Sequence, residues 1–555
     1  MSAPKDFRSV IQRGYACQGG AIHLGAAMRD GEVLADAPVR LPLRTMNRHG
    51  LITGATGTGK TKTLALIAEG LSEAGVPVVL MDIKGDLSGV AAAGTDNPRI
   101  QERHAKLGVE WSPSAFPVEF LTLSDEKGAR LRATVSEFGP VLFSKILGLN
   151  DTQASLVSLV FKFCDDKHLP LLDLKDFKKV LEYITGEAKP QVTAEYGLVP
   201  ATSTALILRK LIELEQQGAT RFFGEKSFEV EDLMRTDNGF GVISILRLTD
   251  IQDRPKLFSS FMLQMLGEIF ATLPEAGDLD QPKLVLFIDE AHLLFDEAEK
   301  ALLDQIETVI RLIRSKGVGV FFCTQSPADV PADVLAQLGM KVQHALRAFT
   351  AKDRKDIKLI AENYPLTEFY DTEQLLTQLG IGEALVTVLD ERGIPSPLAA
   401  TLLCAPRSRM GPLTPAEIDE RVAASPLVEK YNAEIDPQSA YEILGGKLAA
   451  AATPQHEQRT APARRAYTPA ARPAPAPVSQ PTPPVAEAPP YPKPTPAPYS
   501  RPTAASSEGP SVFTTMMQGV GGQMMRQAGR SFAASVTNAV ARSLLGVIGL
   551  GGRRR

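Results

Sequence analysis

The sequence is poor in cysteine, and the little it has is scattered. Cys17, Cys164, Cys323 and Cys404 show no C-x-x-C spacing and have no histidine cluster beside them. That argues against a disulfide scaffold and a zinc module and fits a reducing compartment. No apolar run approaches the ~20 residues that span a bilayer. The stretch MSAPKDFRSVIQRGYACQGG lacks the apolar centre of a signal peptide. The expectation is a cytoplasmic protein. Positive charge in excess is also missing: the formal net charge is -4. Bulk charge therefore cannot coat nucleic acid, and any such contact must come from a local basic surface.

What is present is an ordinary globular balance, 44% hydrophobic and 22% charged, in a chain long enough for more than one domain. Residues 1–45 are Gly-rich and mixed, and read as a small β-rich segment, a lid or a reduced barrel. Residues 46–139 read strand, loop, helix, strand. TKTLALIAEGLSEAG has helical spacing at Leu64, Ile67, Ala68 and Leu71. VPVVLMD, closing on Asp82, is a continuous apolar run of the kind buried on both faces of a parallel sheet. Residues 140–235 turn helical, in LVSLVFKFCDD, LKDFKKVLEYITGE and STALILRKLIELEQQG. Strands return over 236–425, in GVISILRL, KLVLFIDE, GVGVFFCTQ, KVQHALRA and GEALVTVLD. Strands alternating with helices mean an α/β fold with a mainly parallel sheet. A helical extension, 426–452, leads to a Pro/Ala-rich linker, 453–510, which cannot bury a core and is expected to be disordered. The tail, 511–555, is basic, with Phe532, Val536, Val540, Leu544 and Val547 on one helical face. It would lie on an anionic membrane, touch phosphates, dock on the protein, or stay a solvated tail.

GATGTGKT satisfies G-x-x-x-x-G-K-[ST] between a strand and a helix. The loop Gly54, Ala55, Thr56, Gly57, Thr58, Gly59 and the helix start Lys60, Thr61, Lys62 form the expected ATP-binding stretch. The glycines let amide hydrogens face phosphates, and the helix N-terminus adds its dipole. Lys60 reaches the β- and γ-phosphates, and the Thr61 hydroxyl can ligate Mg2+. KLVLFIDE delivers Asp289 to a strand's carboxyl end as the second Mg2+ partner. Glu290 follows and can deprotonate a water. The plainer reading is an acidic strand end that caps a helix. A water-activating carboxylate would waste ATP in a small-molecule kinase, so Glu290 favours hydrolysis, and no small-molecule substrate beyond ATP is expected. Gln325, in FFCTQSP, ends the next strand and would sense the γ-phosphate or align the water, unless it serves only the turn. His49, His292 and His344 lack metal-ligand spacing.

Together GATGTGKT, VVLMDIKGDLSG, LVLFIDEAH, RLIRSKG and FFCTQSP resemble the HerA/FtsK class of P-loop motors. LRATVSEFGPVLFSKILGLNDTQ and GLVPATSTALILRKLIELEQQGATRFFGE resemble, more closely, the bacterial HerA-like proteins of the YjgR type. The resemblance covers roughly residues 5–445. It implies a RecA-like core, ATP and Mg2+ as cofactors, a homo-hexameric ring and a DNA translocase or helicase-like activity. It also implies a trans-acting arginine just before the strand that leads to Thr-Gln. Here that is Arg314, with Arg311 and Arg347 as rivals. Asp82 and Asp86 fall where the class carries an acid after its second strand, beside the metal, in DNA-facing loops or in a simple turn. Archaeal HerA proteins carry a larger N-terminal barrel, for which this chain has room only in a reduced version, and the membrane helices and winged-helix reader of FtsK are not recognisable in the sequence.

Two functions remain in view: a ring motor that translocates DNA, and an ATPase that remodels protein or works at a membrane surface through its tail. Lys162, Lys175, Lys178 and Lys179 could touch phosphates or form a solvated helix face.

Overall fold

The computed structural model describes residues 6–251, 254–295, 300–433, 435 and 437–452. The linker and the basic tail lie outside the described residues. The strands in chain order are β1 (Ala21–Arg29), β2 (Glu32–Pro42), β3 (Gly50–Thr53), β4 (Val78–Asp82), β5 (Val118–Thr122), β6 (Ala129–Arg130), β7 (Thr236–Asp237), β8 (Phe240–Gly241), β9 (Ile243–Arg247), β10 (Leu284–Ile288), β11 (Val318–Thr324), β12 (Met340–His344), β13 (Glu383–Thr387) and β14 (Ala399–Leu403). All but β7 and β8 join one 12-stranded sheet in the order β2-β1-β14-β13-β12-β3-β11-β10-β4-β9-β5-β6. From β12 to β6 neighbouring strands are parallel. From β12 to β2 they are antiparallel. This is the mainly parallel α/β fold that the alternating pattern predicts.

Side chains alternate between the two faces with the period of a strand. Val79, Met81, Leu286, Ile288, Val320 and Phe322 face one core. Val78, Leu80, Val285, Phe287, Phe321 and Cys323 face the other. The helix Lys60–Glu73 packs on the second face through Leu64, Ile67, Ala68 and Leu71, the residues its spacing singles out. The helices Asp151–Lys167, Leu174–Thr185 and Ala201–Gln216 form where the helical period predicts them. They bury Val160, Phe177, Leu181 and Ile207 in the first core.

The N-terminal segment differs from a lid or a reduced barrel. It is a helix, Phe7–Gly14, followed by the β1–β2 hairpin. Asp30 (φ 52) and Gly31 (φ 83) make its turn, the Asp-Gly pair that two-residue hairpins favour. Through β1 and β14 the hairpin extends the main sheet instead of closing on itself. Among the described residues, no helix is long and apolar enough to cross a membrane.

Candidate active site

β3, β11, β10 and β4 are parallel and in register at their carboxyl ends, where Thr53 pairs with Thr324 and Ile288 with both Phe322 and Met81. The residues just beyond these ends therefore meet along one edge. Gly54 opens the loop after β3, Asp289 and Glu290 follow β10, Gln325 follows β11, and Lys84 follows β4.

The loop is clamped from below by the end of β12. Ala55 N donates to Ala345 O at 2.9 Å, and Gly382 N donates to Thr58 O at 3.0 Å. The His344 ring sits under the loop, its Nε2 2.9 Å from Thr63 Oγ1. Burial pushes this histidine down to about 4, with the Lys60 charge adding to the effect. Gly59 has φ 116 at the helix start. That left-handed turn aims the first amides of the helix at the loop's mouth, the arrangement that receives phosphate. Lys60 is buried, and its Nζ donates to Gly54 O at 2.7 Å and Ala55 O at 3.3 Å. Thr56 and Gly57 are exposed at the tip, and Thr61 and Lys62 are half-buried. Lys62 Nζ donates to Met410 O.

Asp289 and Glu290 are both buried. Burial raises Asp289 to about 6, while a hydrogen bond with Cys323 pulls the other way. Cys323 lies on β11, between β10, which leads to Asp289, and β3, which leads to the loop before Lys60, and feels both charges. Asp289 Oδ2 is buried without a hydrogen-bond partner. An orphaned carboxylate oxygen and the Thr61 hydroxyl are hard oxygen donors, the set that Mg2+ prefers. The residues present thus fit the metal. Glu290 has φ 47, unusual outside glycine. Its Oε1 accepts from Lys84 Nζ, and its Oε2 lies 3.3 Å from His292 Nδ1. Burial pulls the Lys84 ammonium down, but Glu290, Asp289 and Asp86 together lift it above its ordinary value. Gln325 is exposed beyond β11.

Asp82 makes a turn. Its carboxylate accepts from Gly85 N, Asp86 N and Leu87 N at 2.7, 3.2 and 3.1 Å. Burial still raises it to about 7. Asp86 Oδ1 is buried and unpartnered.

The structure does not bring Arg314 to this edge. It precedes β11, so seven extended residues separate it from the carboxyl end, about 23 Å of strand. It lines a cavity of about 580 Å³ with Arg48 and Lys341. No ion pair engages these three among the described residues. Arg311 is exposed on the preceding helix. Arg347 lies on the P-loop side and donates to Thr377 O at 3.3 Å. The insertion lysines all meet acids: Lys162 with Asp166, Lys175 with Asp173, Lys178 with Glu215 and Lys179 with Glu182. Lys162 and Lys175 are exposed, whereas Lys178 and Lys179 are half-buried in their pairs. Lys84, Arg48 and His344 as a support for the loop escape sequence reasoning. Only Lys84 had a signal, a cation in MDIKGD just past a buried strand.

A glycine-rich phosphate loop on β3 and an acidic pair two strands away define the class of P-loop nucleotide-binding proteins. Within that class, the profile of the Helicase HerA-like C-terminal family matches residues 28–555, and the chain belongs to this family. It is 22% identical over 374 residues to the DNA double-strand break repair helicase HerA of Saccharolobus solfataricus, covering 66% of each chain. It is 24% identical over 382 residues to a probable helicase of Methanocaldococcus jannaschii, covering 64% of this chain and 66% of that one. The match thus spans just under two thirds of these relatives' length. Among solved structures, the plasmid coupling protein TrwB in complex with ADP and Mg2+ aligns with TM-score 0.47 at 15% identity, over 72% of this chain and 98% of that one. VirB4 of Thermoanaerobacter pseudethanolicus aligns with TM-score 0.45 at 17% identity, over 73% of this chain and 100% of that one.

Proposed function

We propose that this chain is an ATP-hydrolysing motor of the HerA/FtsK type that works as a homo-hexameric ring on DNA. The observation that carries the reading is the division of the machinery between two edges of one sheet. Lys60, Asp289 and Glu290 share the carboxyl edge, while Arg314, with no ion pair among the described residues, stands at the amino edge, out of reach of its own P-loop. That placement supports a role for Arg314 on the phosphate of a neighbouring subunit, the arrangement that a ring provides.

In this reading the loop amides and Lys60 hold the triphosphate. Thr61 and Asp289 would hold Mg2+, which when bound would supply positive charge to the phosphate oxygens. Gln325 aligns the attacking water. Water oxygen bonds to the γ-phosphorus, its proton passes to Glu290, and the bond to the bridging oxygen breaks, so that ADP leaves with the electron pair. The neighbour's Arg314 stabilises the charge that develops.

DNA as substrate is supported by the helicase names of the relatives and by one exposed surface. Arg347, Lys352, Arg354, Lys355 and Lys358 are exposed, with Phe349 among them. No ion pair engages these cations among the described residues. The competing reading, a protein or membrane substrate, rests on the basic tail.

The test is the ATPase rate of the full chain with and without duplex DNA, beside Glu290→Gln. A DNA-stimulated rate abolished by the substitution supports the motor. Hydrolysis indifferent to DNA moves the substrate to protein or membrane, and no hydrolysis overturns the reading.

A further inference from the structure

The carboxylate assigned to water activation is already engaged. Glu290 Oε1 is bound by the Lys84 ammonium, and Oε2 is buried without a hydrogen-bond partner, 3.3 Å from His292 Nδ1. Of the two oxygens, Oε1 is therefore occupied by the ammonium.

The pair is lopsided. The Glu290 side chain is 5% exposed and that of Lys84 is 45% exposed. Lys84 can leave at little cost in solvation, whereas Glu290 left behind would be a buried charge without a counterion. The two backbones are fixed. Asp82 ties down Gly85, Asp86 and Leu87 on one side of Lys84. Ala291 N donates to Cys323 O at 3.0 Å, and Leu293 N to Glu290 O at 3.0 Å. What remains free to move is the Lys84 side chain. β4 and β10 are parallel neighbours, so its stem rises at the edge where the phosphates of a bound nucleotide would lie.

We propose that Lys84 is a positioning residue that holds Glu290 off the nucleotide and releases it when the γ-phosphate of a bound nucleoside triphosphate draws the ammonium away. The proposal rests on the ATPase reading of this site. A diphosphate lacks the attracting group, so the pair re-forms after each turnover. Hydrolysis is thereby gated by the presence of the group to be hydrolysed.

The test uses the full chain with Lys84→Ala, Lys84→Arg, Glu290→Gln and the Lys84→Ala/Glu290→Gln double variant. Lys84→Ala is expected to raise kcat without DNA several-fold at unchanged KM, and Lys84→Arg to stay near the parent rate. A kcat that is unchanged, or that falls as far as in Glu290→Gln, overturns the gate. A second readout is independent of hydrolysis. Lys84→Ala should lower Tm in the parent and not in the Glu290→Gln background. This coupling should persist with ADP and vanish with a non-hydrolysable triphosphate. Coupling that is absent, or equal with both nucleotides, overturns the proposal even if the ATPase reading stands. A parent chain that hydrolyses nothing, yet shows the nucleotide-dependent coupling, keeps the triphosphate-dependent release of Glu290 by Lys84 and overturns the ATPase reading.

Discussion

A side chain at Gly54 would place its Cβ 2.5 Å from the Cβ of His344. The opposing atom is the root of a side chain fully buried at the end of β12, so it cannot rotate aside. Gly54 also has φ 148. The loop and β12 are fitted to each other at a distance only glycine allows.

Gly54→Ala is therefore expected to lift the loop while leaving the sheet intact. Nucleotide affinity should fall more than tenfold, a change of about 1.4 kcal/mol or more, with the circular dichroism spectrum unchanged. Titration with a fluorescent ATP analogue measures it. Affinity within twofold of the parent would mean that the loop does not depend on this fit.

Arg314 makes a prediction that a single variant cannot. If it acts on the neighbouring subunit, Arg314→Ala and Glu290→Gln chains are each inactive but complement when co-assembled. An intact site then forms wherever an Arg314→Ala subunit lends its P-loop beside a Glu290→Gln subunit lending its arginine, roughly a quarter of sites on random assortment. ATPase of the co-expressed mixture reads this directly. A mixture as inactive as its parts would place Arg314 elsewhere in the mechanism.

The parts legible in the sequence were those with local causes. The loop follows from its own glycines and Lys60, the helix Lys60–Glu73 from its period, and β4 and β10 from apolar runs closing on Asp82 and Asp289. What escaped was decided by partners far along the chain. The Asp30-Gly31 turn announces a hairpin, but nothing near it says that β1 will pair with β14, with Gly25 set against Leu403. The strand AATLL itself, over Ala399–Leu403, is too short and too flanked by proline to stand out. His344 reads as an isolated histidine until β12 comes to lie beside β3. Lys84 was visible as a residue, but its bond to Glu290 exists only because β4 and β10 are neighbours.

The exposed cations Arg347, Lys352, Arg354, Lys355 and Lys358 give the DNA reading a salt-dependent signature. Replacing Lys352, Lys355 and Lys358 by alanine should weaken duplex binding at any sequence. The slope of log K against log salt should shrink by about 0.9 for each phosphate that the variant no longer neutralises. Fluorescence anisotropy at several salt concentrations measures it, with ATP affinity as the control. An unchanged slope would take this surface out of the DNA path.

His49 couples the P-loop strand to the helix that leads to Arg314, and it does so only when neutral. Its Nδ1 accepts from Val320 N at 3.0 Å, so the proton sits on Nε2, which donates to Ile310 O at 2.8 Å. Burial lowers its pKa from 6.5 to about 4, and the Arg314 charge adds to this against the pull of the Ile310 carbonyl. The folded value lies below the unfolded one, so in the interval between them the unfolded chain binds the extra proton. The stability His49 contributes is thus complete only well above pH 6.5 and is lost progressively as pH falls through 6.5 toward 4. Asp82 and Asp289, raised by burial, titrate in the opposite sense and mask this in the parent alone. Comparison with His49→Asn, whose amide can accept and donate but does not titrate, cancels their contribution. Relative to that variant the parent should lose about 1.6 kcal/mol between pH 6.5 and pH 5, read from denaturant midpoints at the two pH values. Parallel curves would mean that His49 takes up its proton in the folded chain as readily as in the unfolded one.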